Sequence, residues 1–328
     1  RHVPHQPILG DKFEDQIIAH TFQRYLETGD AEWPLLLPMV KSAVRGMDAV
    51  SEYCEREWSL RVQTFTVTGA SKRGWTTWLT AAVDPRVKAL APMVIDMLNM
   101  ERQIAHQRSA WGKLSEEISD YSRLQLDRHL DTPRGRSLQA IVDPYQYRKT
   151  LRQPKLIMIG TNDDYWPLDA LNLYWRDLEG PKYILYVPNN RHGLKDMPRL
   201  LGGLNALHHH AANGFRLPRM DWHFENGQGS LTLAVQSDVA PRNVRAWVAT
   251  SMQRDFRQAT WKSQPTESRG DLHRFRLELP ANGYAAVFGE AEFEGPGLPF
   301  YLSTNVQLAG EALGAAPNQA AQPSSSGP

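Results

Sequence analysis

The sequence has 328 residues, which allows one large domain or a medium-sized domain with a smaller companion. Its 37 lysines and arginines nearly balance its 36 aspartates and glutamates, so no overall field favours nucleic acid or an anionic membrane as a partner. No run has the apolar length of a transmembrane segment, and the single cysteine, Cys54, excludes an internal disulfide and a cysteine-based zinc site.

The first part of the chain has the spacing of amphipathic helices. Around the acidic start Glu14-Asp15, apolar residues recur at helical spacing at Phe13, Ile17, Phe22 and Tyr25. Pro34 then opens a longer helix, one face of which carries Val40, Val44, Met47 and Cys54. We therefore expect two helices before the first strand.

From residue 62 onward, apolar strand-like runs alternate with helical patterns. Four runs predict strands, at residues 62–68, 87–95, 156–159 and 183–187. Helices are predicted over residues 73–83 and 197–212, and a further helix is marked by Leu168, Leu171, Trp175 and Leu178. Strands that alternate with helices and are apolar throughout indicate a parallel sheet covered on both faces.

Two stretches lie outside that alternation. Residues 97–151 are polar and largely helical, and we expect them to form a cap that shapes a pocket. From Trp222 to about Val306, short alternating runs separated by turn residues predict a small antiparallel β-sandwich. The rest of the chain is rich in Ala, Pro, Ser and Gly, which is typical of a disordered tail. The predicted organisation is an α/β domain with the cap inserted, a sandwich domain and a tail, at residues 1–217, 218–306 and 307–328.

The run Gly69-Ala70-Ser71-Lys72-Arg73-Gly74 stands at a predicted strand-to-helix junction. A nucleophile elbow needs this arrangement, because a serine on a sharp turn between small residues projects its hydroxyl above the sheet. The backbone N–H of Lys72 would then face the place where an oxyanion forms. The second glycine stands one residue later than in the G-x-S-x-G pattern. The alternative is an ordinary turn in which the serine caps the next helix.

Candidate partners for this serine follow the third and fourth predicted strands. Gly160-Thr161-Asn162-Asp163 comes after the third strand, and Asn189-Asn190-Arg191-His192-Gly193 comes after the fourth. Hydrolases with this elbow supply their triad in the order serine, acid, histidine, and ligands bind at the carboxyl ends of parallel strands. We therefore predict an α/β-hydrolase-type fold with Ser71 as nucleophile, His192 as base and Asp163 as acid.

Two other aspartates compete for the role of acid. Asp164 is adjacent to Asp163, and Asp96 ends the second strand, a position from which some hydrolases recruit their acid. Asp163 ranks first because it lies between Gly160, which ends the third strand, and Pro167, which precedes the next helical pattern. The structural alternatives are a solvated loop or cap role for Asp163 and a turn role for His192.

Further side chains could serve the substrate rather than the triad. Lys72 and Arg73 could bind an acidic substrate or stabilise the oxyanion, or they could pair with nearby carboxylates. Trp166, in the acid loop, is the tryptophan that we expect to contact substrate, whereas most others are expected in the core. The run His208-His209-His210 indicates a helix surface, because consecutive residues do not share a helix face. We expect neither a metal site nor a cofactor.

Six runs of the sequence, taken together, are specific enough to indicate a family. They are Trp33–Lys41, Arg45–Val50, Thr68–Thr76, Val94–Asn99, Val187–His192 and Arg254–Arg257. These runs resemble the PhoPQ-activated pathogenicity-related family, and the resemblance extends over nearly all residues before the tail. It implies an exported, secreted or periplasmic, α/β-hydrolase-like protein followed by a small β domain.

This chain differs from the expected family pattern in two respects. His5 stands where asparagine is expected. The family has further strands upstream, including a glycine loop that would supply the second oxyanion N–H. A sheet that lacks its first strands would expose an apolar edge, so we expect the active protein to be longer than this chain.

These features lead to a ranked set of functions. The first is a carboxylic ester hydrolase that forms an acyl-serine intermediate from a small-molecule or polymer ester, and peptide or amide hydrolysis would use the same groups. The second is a non-catalytic secreted binding or signalling protein that retains the fold. The third is a polysaccharide-associated esterase, for which the sandwich would have to present Trp222, Trp247 or Trp261 to carbohydrate.

Overall fold

The computed structural model describes residues 5–310, and within that range it has seven α-helices and thirteen β-strands. The helices are α1 Glu14–Thr28, α2 Leu36–Trp58, α3 Lys72–Val83, α4 Met100–Trp111, α5 Ser119–Ser122, α6 Pro133–Val142 and α7 Met197–Asn213. The strands are β1 Phe65–Ala70, β2 Val87–Met93, β3 Lys155–Gly160, β4 Lys182–Val187, β5 Met220–Gly227, β6 Ser230–Ser237, β7 Asn243–Ser251, β8 Lys262–Pro265, β9 Glu267–Arg269, β10 Leu272–Glu278, β11 Tyr284–Phe293, β12 Phe300–Ser303 and β13 Gln307–Gly310. None of these described helices combines the length and the apolar character needed to cross a membrane.

The four strands predicted before residue 190 are confirmed as β1 to β4, and the helices predicted around them are α3 and α7. The strand ends differ from the predicted ends by at most three residues. The two helices expected at the start of the chain are α1 and α2, whose buried faces include Ile17 and Phe22 on α1 and Val40 and Met47 on α2.

The helix predicted from Leu168 to Leu178 is wrong. The structure has only two 3₁₀ turns there, Ala170–Leu173 and Trp175–Asp177, separated by Tyr174 at φ −139° and ψ −12°. The hydroxyl of Tyr174 donates to the buried Asp96 carboxylate at 2.6 Å, and its ring is buried. This tertiary contact holds residue 174 outside the helical region, so the apolar spacing alone does not decide the local structure.

The described chain divides into two compact units, and the division falls within β3. The first unit contains the chain up to Ile157, together with Asp164–Trp166 and Leu173–Lys182. The second unit contains Met158–Asp163, Pro167–Asn172 and the chain from Tyr183 onward. The domain boundary predicted between residues 217 and 218 stays a prediction.

In the first unit, the short crossover from β1 through α3 to β2 builds the frame of the serine turn. β1 and β2 pair in parallel, with Thr66 opposite Ala89 and Ala70 opposite Met93. Parallel neighbours require a crossover, and α3 provides it by packing on both strands. Trp75 and Trp78 of α3 are buried, and burial of two indole rings stabilises this crossover strongly.

In the second unit, β4, β12, β11, β7 and β8 form consecutive antiparallel pairs. A separate antiparallel sheet has the order β5-β6-β10-β9. An added Cβ at Gly289 of β11 would lie 3.0 Å from Val235 of β6, so the two sheets pack closely there. The chain thus has the predicted α/β-hydrolase-type fold followed by an antiparallel β-sheet. The pairing of Ser303 in β12 with Ile184 in β4 also joins later strands to the sheet that carries the predicted base.

The first four residues of the tail that was predicted from residue 307 form a strand instead. Residues Gln307–Gly310 form β13, which pairs with β11 from Gln307 opposite Val287 to Gly310 opposite Tyr284. Gln307 and Leu308 are buried, so this pairing contributes to the core of the second unit. The remaining predicted tail, residues 311–328, lies outside the described residues.

A buried lysine in the first unit makes the stability of the fold depend on pH. Burial, reinforced by the charge of Lys182, lowers the pKa of Lys155 to about 7, and its ammonium donates to the backbone carbonyl of Glu179 at 2.5 Å. In the unfolded chain a lysine keeps a pKa of about 10.4. Between about pH 7 and pH 10, the unfolded state therefore holds a proton that the folded state has released, and the free energy of unfolding rises with pH.

We expect Lys155→Met to remove that contribution. Over this window, the free energy of unfolding of the wild-type protein should rise by up to about 1.4 kcal/mol per pH unit relative to that of the variant. Urea unfolding of both proteins at pH 7 and at pH 9 measures the difference. Burial also lowers the pKa of Lys182 to about 8, and this group titrates in both proteins, so an identical pH dependence would mean that Lys155 has an ordinary pKa.

Candidate active site

Ser71 occupies a strained turn between β1 and α3. Its backbone lies at φ 57° and ψ −128°, a conformation that costs a non-glycine residue on the order of 1–3 kcal/mol. The Ser71 N–H donates to the Met93 carbonyl at 2.9 Å, and the Ser71 carbonyl accepts from the Trp75 N–H at 3.0 Å. These bonds tie the turn to β2 on one side and to the first turn of α3 on the other, so Ser71 stands on a sharp strand-to-helix turn.

The two glycines around the turn are needed for close backbone approach. A Cβ at Gly69 would lie 2.6 Å from the Arg73 carbonyl oxygen. A Cβ at Gly74 would lie 2.9 Å from the carbonyl oxygens of both Gly69 and Met93. The displaced second glycine of the sequence pattern thus still serves the turn, because residue 74 rather than residue 73 faces β1 and β2.

We expect Gly69→Ala to lower the free energy of unfolding by about 1–3 kcal/mol, since the new methyl group would overlap the α3 backbone. Gly46→Ala is the matched control, because its added Cβ in α2 would have no atom within 4 Å beyond its chain neighbours and the nearby backbone of its own helix. Replacing a glycine in a helix interior by alanine stabilises by about 0.5–1 kcal/mol. Urea denaturation of the two variants beside wild type compares the effects, and equal stabilities would contradict the steric account.

Asp163 and His192 form a direct hydrogen-bonded pair in the second unit. Nδ1 of His192 lies 3.1 Å from Oδ1 and 3.0 Å from Oδ2 of Asp163. Asp163 is 7% exposed and the imidazole 23%, so the carboxylate is shielded while the ring retains access to solvent. A proton on Nδ1 makes this bond, which leaves Nε2 as the basic nitrogen of the neutral ring.

The two rival acids have other contacts. The Asp96 carboxylate is buried and accepts the Tyr174 hydroxyl at 2.6 Å. Asp164 offers its backbone carbonyl to the Ser115 hydroxyl at 2.6 Å. Of these three aspartates, Asp163 is the one for which the structure describes a hydrogen bond to His192.

Lys72 and Arg73 are paired with acidic residues at the start of α1. The Lys72 ammonium lies 2.7 Å from an Asp15 oxygen and 3.2 Å from a Glu14 oxygen, and Arg73 reaches Glu14 at 2.8 Å. The hydrogen bond from Arg73, with further contributions from Lys72, lowers the pKa of Glu14 to about 2. Pairing with nearby carboxylates was the alternative to a substrate role, and the substrate role of the two side chains stays a prediction.

Trp166 is half-buried and follows two residues whose backbone is held by the predicted cap. The Gln107 amide of α4 donates to the Tyr165 carbonyl at 2.8 Å, and the Ser115 hydroxyl donates to the Asp164 carbonyl. Its contact with substrate stays a prediction. Of the nine other tryptophans, Trp75, Trp78, Trp175 and Trp261 are buried in the core, four more are half-buried and Trp58 is exposed, so fewer of them lie in the core than expected.

Sequence reasoning missed three polar residues beside the acid and the base. Thr161 and Asn162 precede Asp163, and Asn189, at φ 56°, is the first residue of the histidine loop. All three hold backbone groups of neighbouring segments through their side chains. The available signal was a run of polar residues directly after two buried strands, because polar side chains such as those of Thr161 and Asn162 must find hydrogen-bond partners when buried.

This chain is similar in sequence to a known protein family and to a relative in another organism. Residues 1–257 match the family described as PhoPQ-activated pathogenicity-related protein. A relative in Dictyostelium discoideum, autocrine proliferation repressor protein A, is 31% identical over 322 residues. The match covers 89% of this chain and 65% of that protein, so this chain spans about two thirds of the length of its relative.

Solved structures with partial likeness include two acetyl xylan esterases. The enzyme from Thermoanaerobacterium sp. JW/SL YS485 is 18% identical, covers 62% of this chain and 61% of its own, and has a TM-score of 0.41. The enzyme from Paenibacillus sp. R4 is 20% identical, with 50% and 48% coverage and a TM-score of 0.37. Pyrococcus horikoshii acylaminoacyl peptidase is 19% identical, with 45% and 23% coverage and a TM-score of 0.34. Likeness at this level carries no argument about activity.

Proposed function

We propose that this chain, which belongs to the PhoPQ-activated pathogenicity-related protein family, is a serine hydrolase that acts on carboxylic esters. Ser71 is the nucleophile, His192 the general base and acid, and Asp163 the orienting carboxylate. The observation that carries the proposal is the bond from the His192 imidazole to Asp163 at 3.0 Å, because it selects the tautomer that a triad needs.

The proposed reaction proceeds in two halves. Ser71 Oγ attacks the ester carbonyl carbon while Nε2 of His192 takes the hydroxyl proton, and that proton then leaves with the alcohol. Water attacks the acyl-serine, His192 takes a proton from the water, and this proton returns to Ser71 as the acid departs. Asp163 stays ionised and stabilises the imidazolium formed in each half.

The backbone supports the charge that develops on the carbonyl oxygen. The N–H of Lys72 is the first donor after the serine and stands at the N-terminus of α3, where the helix dipole favours negative charge. Loss of a single oxyanion donor lowers turnover by about 100- to 1,000-fold. We propose the Lys72 N–H as one of the donors, and the Lys72 side chain, Arg73 and Trp166 as residues near the substrate.

A fluorophosphonate probe tests the proposed nucleophile directly. Folded protein incubated with the probe should gain the mass of one phosphonyl group on the peptide that contains Ser71. Hydrolysis of p-nitrophenyl esters of increasing acyl length, measured beside matched anilides, tests the preference for esters. Absence of both labelling and hydrolysis in folded protein would contradict the proposal.

A second candidate function is extracellular signalling without catalysis. The relative in Dictyostelium discoideum is named as an autocrine proliferation repressor, and its similarity extends over most of this chain. Export of this protein, secreted or periplasmic, belongs to the same proposal and is implied by family resemblance. The two functions separate in a growth assay with purified protein and its Ser71→Ala variant, since a pure signal keeps its effect without the nucleophile.

A further inference from the structure

The segment Phe256–Trp261, which leads from β7 to β8, lies against the loops that carry the acid and the base. On the acid side, Asn162 is buried and its amide nitrogen donates to three carbonyl oxygens of this segment. The distances are 3.2 Å to Phe256, 3.2 Å to Arg257 and 2.7 Å to Ala259. Three acceptors require a donor group, so an aspartate carboxylate, which can only accept, could not replace this amide.

On the base side, Asn189 holds the other end of the same segment. Its amide nitrogen donates to the Trp261 carbonyl at 3.0 Å, and its amide oxygen accepts from the Trp261 N–H at 2.8 Å. This two-bond contact imitates the pairing of two strands. Asn189 lies at φ 56°, in the left-handed region that asparagine tolerates better than most residues.

The hydroxyl of Thr161 connects the two asparagines. It donates to the Asn162 amide oxygen at 2.8 Å and accepts from the backbone N–H of Asn189 at 2.9 Å. The backbone also brings the two loops together, because the Asn162 N–H donates to the Asn190 carbonyl at 2.9 Å. A Cβ at Gly160 would lie only 2.4 Å from that same carbonyl oxygen, so the loops are in close contact.

We propose that Thr161, Asn162 and Asn189 are positioning residues that fix Asp163 and His192 relative to each other. They do so by binding both loops to the segment Phe256–Trp261, which acts as a brace. The catalytic consequence rests on the proposed function, whereas the brace itself does not. Misplacing a catalytic group by about 1 Å can cost about 100-fold in rate.

Kinetics of two substitutions at one position test this role. Thr161→Val removes the hydroxyl with little change of shape, and we expect kcat for ester hydrolysis to fall about 10- to 100-fold with KM nearly unchanged. Thr161→Ser keeps the hydroxyl and should restore most of kcat. Asn205→Ala is the matched control. It removes a hydrogen bond of 2.7 Å from the side-chain amide to the Pro296 carbonyl, and this amide makes no hydrogen bond to either loop in the described structure.

A spectroscopic measurement tests the brace without any activity. The proton shared by His192 Nδ1 and Asp163 should give a downfield proton resonance, assigned by its loss in His192→Gln. We expect this resonance to broaden or shift in Thr161→Val and in Asn162→Ala, and to stay in place in Thr161→Ser and Asn205→Ala.

The outcomes separate the brace from the proposed function. Folded Thr161→Val and Asn162→Ala proteins with the wild-type resonance would overturn the positioning role. If Asn162→Ala does not fold, the comparison of Thr161→Val with Thr161→Ser decides alone. A wild-type protein without hydrolase activity, but with a resonance that responds as expected, would overturn the ester hydrolase and keep the brace.

Discussion

Replacing Ser71 by alanine should abolish ester hydrolysis and fluorophosphonate labelling while the protein stays folded. Loss of the nucleophile from a serine triad lowers kcat by about 10⁶-fold, because no other group forms the acyl intermediate. The fold should tolerate the change, since serine and alanine share the Cβ that already stands at φ 57°. Steady-state kinetics with a p-nitrophenyl ester and a thermal unfolding curve measure both properties.

Two further variants make this result specific. His192→Ala should be about as damaging as Ser71→Ala, because triad members act as a unit. Ser42→Ala is the control, since that exposed hydroxyl of α2 donates a hydrogen bond of 2.9 Å to the Pro38 carbonyl within its own helix. Residual wild-type turnover in folded Ser71→Ala would remove Ser71 from the mechanism.

The second large effect concerns the acid. Asp163→Asn should lower kcat by about 10⁴-fold, because an amide that donates to Nδ1 favours the tautomer in which Nε2 carries a proton and cannot act as base. KM should change little, since Asp163 is buried behind the imidazole and does not contact substrate in the proposed mechanism. The predicted pattern is therefore a loss confined to turnover.

The rival aspartates provide matched controls for the same chemical change. Asp164→Asn keeps the backbone carbonyl that receives Ser115, and Asp96→Asn keeps an oxygen that can accept from Tyr174. We expect both to retain turnover within about tenfold of wild type, well above Asp163→Asn. Equal losses in Asp163→Asn and Asp164→Asn would move the role of acid to the neighbouring residue or to both.

Local sequence was sufficient for those elements whose residues have a strong preference. The strands β2 to β4 are short, mostly buried apolar runs, and β1 is a β-branched run with alternating threonines, and both patterns favour a strand in nearly any context. The order of the serine, acid and histidine segments along the chain pointed to the turn after β1 and to the loops after β3 and β4. The pairing of Asp163 with His192 agrees with that order.

The residues from Leu168 to Leu178 show where local preference fails. Their spacing is helical, yet the buried bond from Tyr174 to Asp96 breaks the segment into two 3₁₀ turns. The join of β12 to β4 is similar, because residues more than 100 positions apart pair through the backbone and leave no sequence pattern. Such contacts form between segments that are far apart in the chain, and the local pattern of either segment does not identify its partner.

By itself, the sequence of this protein determined the class of the fold, the strained serine turn and the candidates for acid and base, because these depend on residue type and on neighbours within a few positions. Only the tertiary structure decided which aspartate contacts His192, that Glu14 and Asp15 pair with Lys72 and Arg73, and that one segment after β7 holds both loops. The physical reason is that hydrogen bonds and ion pairs act over about 3 Å in space. The chain brings such groups together from positions that can be more than 100 residues apart.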